Sequence, residues 1–209
     1  MLIVALTGGI ATGKSIVARV LGQKGCFIQE ADELAHQLLI PGSQVWIELV
    51  RHFGQKILEK DETINRKVLA EIIFKDPKER DFLNNLTHPL ILEKVKQTIL
   101  RLEEEGLYDI YITVAALVIE SGYYKFYDRI ILTFCQPEIQ IQRLCERDGL
   151  PPEKAIEKIR AQMPDQEKIP FAHYLIDTSG TLEKTIDQTE KVYLYLYQDV
   201  SLKKTGLLI

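Results

Sequence analysis

"LIVALTGGIATGKSIVARVL" runs from Leu2 to Leu21 and sets the fold class. Leu2–Leu6 is a continuous apolar run containing the β-branched Ile3 and Val4, and Gly8 and Gly9 close it. That pattern reads as a strand buried in a parallel sheet. Beyond the glycines, Ile16, Val17, Val20 and Leu21 recur at helical spacing until Gly25 stops them. Between strand and helix, Gly8, Gly13, Lys14 and Ser15 fit G-x-x-x-x-G-K-[ST], a phosphate-binding loop. Backbone N–H groups and a helix N-terminus offer donors and partial positive charge to a phosphate chain. Gly8 and Gly13 let the loop wrap without Cβ clashes. Lys14 is expected to reach the β- and γ-phosphates, and the Ser15 hydroxyl to hold Mg²⁺. Gly9, Ala11 and Thr12 are small enough to line the loop. Ile16 has no hydroxyl, so it is expected to offer its backbone N–H to an α-phosphate.

Working outward, "CFIQ" (26–29) is a second short strand, followed at once by the helical "EADELAHQLL". Strand, glycine loop, helix, strand opens a βαβ unit. From about Gly42 to Gly106 the pattern is helical throughout, which suggests an inserted subdomain. Strands resume with the start of "YDIYITVAALVIE" (108–120), then "RIILTF" (129–134) and "HYLIDT" (173–178). The helices "EIQIQRLCERDG" and "PPEKAIEKIRAQM" lie between the last two, the second with prolines where a helix start tolerates them. A long helix, "LEKTIDQTEKVYLYLY", closes the chain. The expectation is one α/β domain over 1–209: a three-layer α/β/α fold on five parallel strands, with a helical insertion at 42–106 and a lid at 138–170.

At 46% hydrophobic and 27% charged residues, the chain is globular rather than disordered. Its net charge of −4 argues against a general nucleic-acid binder, whose domain is usually basic. Three cysteines without a C-x-x-C pair make a disulfide framework or zinc site a poor reading. The N-terminus shows no signal-peptide pattern, and no apolar run has bilayer length. The expected setting is the cytoplasm, with no membrane partner, as a monomer or weak homo-oligomer.

A phosphate loop does not identify what receives a phosphate. A guanine-reading N-K-x-D is absent, and "DTSG" (177–180) comes too late to be a switch. Partner-reading motifs of a motor are not found either. A kinase needs an acceptor base and mobile cations. Asp32 follows the second strand, eighteen residues after Lys14, at the end of the sheet where ligands of open α/β folds bind. It reads either as a base for an attacking hydroxyl or as a cap for the helix beginning near Leu34. Arg143 and Arg147 lie four apart on one helix face, with Lys154, Lys158, Arg160 and Lys168 following. They read either as lid cations that stabilise transferring charge or as a solvated face interleaved with acids. Glu120 is either an acid that orients Mg²⁺-bound water or a helix start. Trp46 is core or acceptor-pocket lining, and His88 is most simply structural. The competing functions are a kinase for another metabolite and an ATP-binding regulatory module that has lost transfer.

Taken together, these motifs resemble the dephospho-CoA kinase family, in order along nearly the whole chain. "VALTGGIATGKS" resembles its opening loop, and "EADELAHQLL" its D-A-D segment, with Asp32 at the second acid. "LNNLTHPLI" (83–91) resembles L-N-x-x-x-H-P-x-I, and "ALVIESGYY" the P-L-L-F-E segment. "QIQRLCERDGL" and "IRAQMPDQEK" resemble the lid, and "HYLIDTSG" the A-D-x-V-I-D-N-x-G close. The resemblance implies phosphorylation of the ribose 3′-hydroxyl of dephospho-CoA by ATP with Mg²⁺. It implies Asp32 as base, the loop with Lys14 and Ser15 on ATP and Mg²⁺, Arg143 and Arg147 as lid cations, and Arg66 and His88 on the acceptor side. Glu30, Ala116, His173, Thr178 and Lys158 depart from the pattern. Thr178 puts the adenine contact in question, and Lys158 lacks the bidentate fork of arginine.

Overall fold

The computed structural model describes residues 1–208. Its backbone divides into two compact units, one formed by Met1–Gln29 with the chain from Arg101 onward, the other by Glu30–Leu100.

The first unit is built on β1 (Leu2–Gly8), β2 (Phe27–Glu30), β3 (Ile110–Val114), β4 (Arg129–Phe134) and β5 (Tyr174–Asp177), in the order β2-β3-β1-β4-β5. β1 pairs in parallel with β3 on one side and β4 on the other, and β5 pairs in parallel with β4. Phe27 of β2 stacks on Tyr111 of β3. Alternation along β1 sends its side chains to two layers. Leu2, Val4 and Leu6 join Val17, Ala18 and Leu21 of α1 (Lys14–Gln23) and Val192, Leu196 and Val200 of α9 (Leu182–Lys204). Ala5 points the other way, with Ile130 and Val118. β1 is thus covered on both faces, which explains its unbroken apolar sequence. The expected five-stranded three-layer α/β fold is borne out.

The remaining helices of this unit are α6 (Pro137–Asp148), α7 (Pro152–Arg160) and the short α8 (Asp165–Lys168). Gly149 ends α6 in the left-handed conformation, at φ 65°.

The second unit carries α2 (Ala31–Leu38), α3 (Gln44–Phe53), α4 (Arg66–Lys75) and α5 (Pro77–Glu105) as far as Leu100. Ser43 and Asn65 cap α3 and α4 by accepting the N–H groups of Trp46 and Val68. Val45, Leu49, Phe53, Ile57, Ile64 and Leu69 form its core. Trp46 packs at the edge of that core and donates its indole N–H to the Glu62 carbonyl at 2.9 Å, which is the core reading of this residue. The segment is not helical throughout. Leu58 and Ile64 make an antiparallel bridge around a turn in which Asp61 accepts from the Thr63 amide and hydroxyl. A short polar side chain that bonds two residues onward favours a turn over a helix. α5, by contrast, runs unbroken through Pro89, although proline removes the donor that the Asn85 carbonyl takes in a helix.

Candidate active site

β1 ends at Gly8, a position closed to any side chain. Its φ is +148°, and a Cβ there would lie 2.3 Å from the Thr133 carbonyl of β4. The chain then turns through Gly9–Thr12. Ala11 adopts φ 61°, the left-handed region, at a cost of about 1 kcal/mol for a residue with a Cβ. Gly13 follows at φ 85° and starts α1 without a capping side chain, and no acid lies in the first turn. The N-terminal dipole of α1 is therefore uncompensated by the protein, the condition an anion site requires.

The loop is held from below. Buried Thr12 donates to the Gly9 carbonyl at 2.8 Å and meets the Thr133 hydroxyl at 2.9 Å. Buried Thr178, just past β5, lies 3.0 Å from the Thr12 carbonyl. Arg143 of α6 donates from Nη1 to the Thr178 hydroxyl at 3.1 Å and from Nη2 to its carbonyl at 2.7 Å. Thr178, discussed above as an adenine-side position, thus sits beneath the phosphate loop. The Lys14 ammonium donates to the Gly8 and Gly9 carbonyls at 2.8 and 2.9 Å. The Ile16 N–H, expected to be available to a phosphate, donates to the Gly13 carbonyl at 3.1 Å in a tight first turn. Ser15 is exposed at that turn.

The expected lid contributes more than cations. Gln140 of α6 donates to the Ile10 carbonyl at 2.8 Å, and Gln162 accepts from the Ile10 N–H at 2.7 Å. Both glutamines stand in the lid-like segments "QIQRLCERDGL" and "IRAQMPDQEK", but the sequence reading gave neither a role of its own. Lys168 has no solvent-exposed surface and lies 2.8 Å from the Glu120 carboxylate. That overturns two expectations: Lys168 is not on a solvated face, and Glu120 is neither at a strand end, since β3 stops at Val114, nor at a helix start. Asp165 interacts both with this pair and with the loop. Burial raises its carboxyl above the usual range, while Lys168, the Gly9 amide and Lys14 pull it down and Glu120 pushes it up. Arg147 is exposed and pairs with Asp148 at 2.8 Å, and Lys158 reaches the same carboxylate at 3.0 Å. These two cations hold the Asp148 carboxyl down at about 2. His173 accepts the Ile130 N–H on Nδ1 at 3.1 Å, a structural position.

The dephospho-CoA kinase family model matches residues 2–184, from the start of β1 into the first turn of α9. The chain belongs to that family. A dephospho-CoA kinase of Aquifex aeolicus is 36% identical over 94% of this chain and 98% of that protein. The solved dephospho-CoA kinase of Campylobacter jejuni is 26% identical with a TM-score of 0.67, covering 93% of this chain and 96% of that one. A shikimate kinase of Acinetobacter baumannii, at 14% identity and a TM-score of 0.55 over 95% of this chain and 94% of that one, shares the fold.

The candidate acceptor residues belong to the second unit. Asp32 lies in the first turn of α2, whose N-cap is Glu30, so it does not cap that helix. Its side chain is exposed. Arg66 is exposed at the first position of α4. His88 is half-buried midway along α5, and burial lowers its pKa below the usual histidine value. Among the described residues, no group of three or more His, Cys, Asp or Glu side chains could hold a metal ion. The exposed Ser15 hydroxyl at an uncapped helix start fits Mg²⁺ instead, since that ion is commonly shared between one or two protein oxygens, phosphates and water. Among the same residues, no helix is long and apolar enough to cross a membrane.

Proposed function

We propose that this chain transfers the γ-phosphoryl group of ATP to the ribose 3′-hydroxyl of dephospho-CoA, giving CoA and ADP. The observation that carries this reading is the uncapped, acid-free start of α1 behind a glycine loop, in a chain that belongs to the dephospho-CoA kinase family. Gly8–Ile16 form the phosphate cradle. Lys14 leaves the loop carbonyls to neutralise the β- and γ-phosphates, and Ser15 takes Mg²⁺. Bound there, Mg²⁺ would supply positive charge that offsets the charge of the phosphates.

Asp32 accepts the proton of the attacking hydroxyl, a task its exposed carboxylate is free to perform. Arg66 and His88 serve the acceptor side. Arg143 and Arg147 belong to a lid over 138–170 and meet the charge that spreads over the equatorial oxygens during transfer. Arg147 must exchange Asp148 for the nucleotide to do so. The insertion at 42–106 binds the acceptor. The reaction is set in the cytoplasm, with the enzyme a monomer or weak homo-oligomer.

The test is ADP release with ATP, Mg²⁺ and dephospho-CoA, together with mass analysis of the product. Turnover dependent on dephospho-CoA and a phosphate on the 3′-oxygen support the reading. Folded protein that binds ATP but releases no ADP on adding this acceptor overturns it.

A further inference from the structure

Both hydrogen-bonding groups of Ile10 are taken by side chains far away in sequence. Gln140 of α6 supplies a donor to its carbonyl, and Gln162, just beyond α7, supplies an acceptor to its N–H. The chemistry of the Ile10 groups fixes which end of each amide faces them. Gln140 is buried, at 7% exposed. Ile10 directly precedes Ala11, which is held at φ 61°. A strained residue persists only where its surroundings over-determine it. The amides of Gly13–Ser15, which face the ligand in the proposed function, follow directly.

We propose that Gln140 and Gln162 are positioning residues for ATP, clamping the Ile10 peptide so that the loop keeps the conformation in which its amides converge on phosphate. This rests on the reading that Gly8–Ser15 hold the ATP phosphates. The clamp makes nucleotide affinity depend on the segment that carries Arg143 and Arg147. Asp165, whose carboxylate lies 3.4 Å from where a Gly9 Cβ would sit, approaches the loop from the same segment. The buried Lys168–Glu120 pair ties that segment to the chain beyond β3.

Gln162→Met and Gln140→Met keep the approximate shape and remove the acceptor or the donor. Each is expected to raise the KM and the Kd for ATP about tenfold, as loss of one well-placed hydrogen bond does, with the KM for the acceptor unchanged. In Gln162→Met the Ile10 amide is expected to lose its protection from hydrogen exchange. The double variant is expected to weaken ATP clearly less than about tenfold further than either single variant, short of the product of the two effects, because both side chains hold one peptide.

Thermal denaturation of each variant identifies any that fails to fold. If Gln140→Met does fail, Gln162→Met, at a less buried position, carries the test. Ile10 exchange that speeds up while the KM for ATP stays within twofold overturns the proposal. So does an equal fall in kcat/KM for both substrates that tracks lost stability. Lys14→Ala separates the two readings: if it leaves ATP affinity intact, the loop is not the ATP site. If it weakens ATP and the glutamine variants do not, only the clamp is wrong.

Discussion

The Lys168 ammonium is fully buried and sits 2.8 Å from the Glu120 carboxylate. Their buried polar atoms find no hydrogen-bond partner among the described residues, so each charge rests chiefly on the other, with the Asp165 carboxylate as a further charge that Lys168 meets. Removing one charge strands the other. Lys168→Met is expected to cost about 3–5 kcal/mol. Glu120→Met/Lys168→Met is expected to lose less than either single change, since a matched apolar pair carries no desolvation cost. Urea denaturation of the three variants measures this. Additive losses would show that the two groups act independently.

Thr178 joins Arg143 of α6 to the loop floor. Its hydroxyl can donate to the Thr12 carbonyl at 3.0 Å while accepting from Arg143. Thr178→Val removes both functions and is expected to cost about 1–3 kcal/mol by leaving buried groups unpaired. Thr178→Ser keeps the hydroxyl and is expected to retain most of the stability. Arg143→Lys keeps the charge but loses the two-pronged grip, so it is expected to release one of the two bonds to Thr178. Thermal unfolding with and without ATP separates the losses. Equal stability in the Val and Ser variants would rule out the hydroxyl's role.

Which parts were legible follows from the kind of signal each residue carries. Gly8 and Gly13 announce themselves, because a close approach and a positive φ admit almost nothing else. β1 and α1 follow from unbroken apolarity and helical spacing. Asp32 was visible as an acid after a strand, but its place inside the first turn of α2 needed the N-cap to be located at Glu30. Gln140 and Gln162 were visible only as members of the lid-like segments, without a role. A glutamine's amide does not announce its partner, and theirs lies 130 and 152 residues away. Lys168 was masked in the same way by the acids beside it in sequence. Its burial is decided by Glu120, on a distant segment. The turn at Leu58–Ile64 was hidden by apolar residues on both sides, and the continuity of α5 by Pro89, where packing of Leu83 and Leu86 on the second unit's core overrides local propensity.

Asp32 distinguishes transfer from binding. Asp32→Asn keeps the size and polarity but removes the carboxylate proposed as the proton acceptor. It is expected to lower kcat by about 10²–10⁴-fold, with the Kd for ATP within about twofold of the unsubstituted chain. Single-turnover ADP formation and equilibrium ATP binding read the two separately. A variant with a near-normal rate would assign the proton to another group.

His173 stands where the family pattern has an aspartate, and its pH behaviour follows from its hydrogen bond. Nδ1 accepts the Ile130 N–H, which only an unprotonated nitrogen can do. Burial lowers the pKa, Arg129 lowers it further, and Asp199 opposes them. The unfolded chain therefore binds this proton more readily than the folded one. By linkage, stability rises with pH through this window and is lost as pH falls below the ordinary histidine value of about 6.5. His173→Asp supplies an acceptor that stays ionised there and faces Arg129 favourably. Urea midpoints at pH 7 and pH 5 are expected to fall with acidification in the unsubstituted chain and to fall less in the variant. Identical slopes in both would place the proton uptake elsewhere.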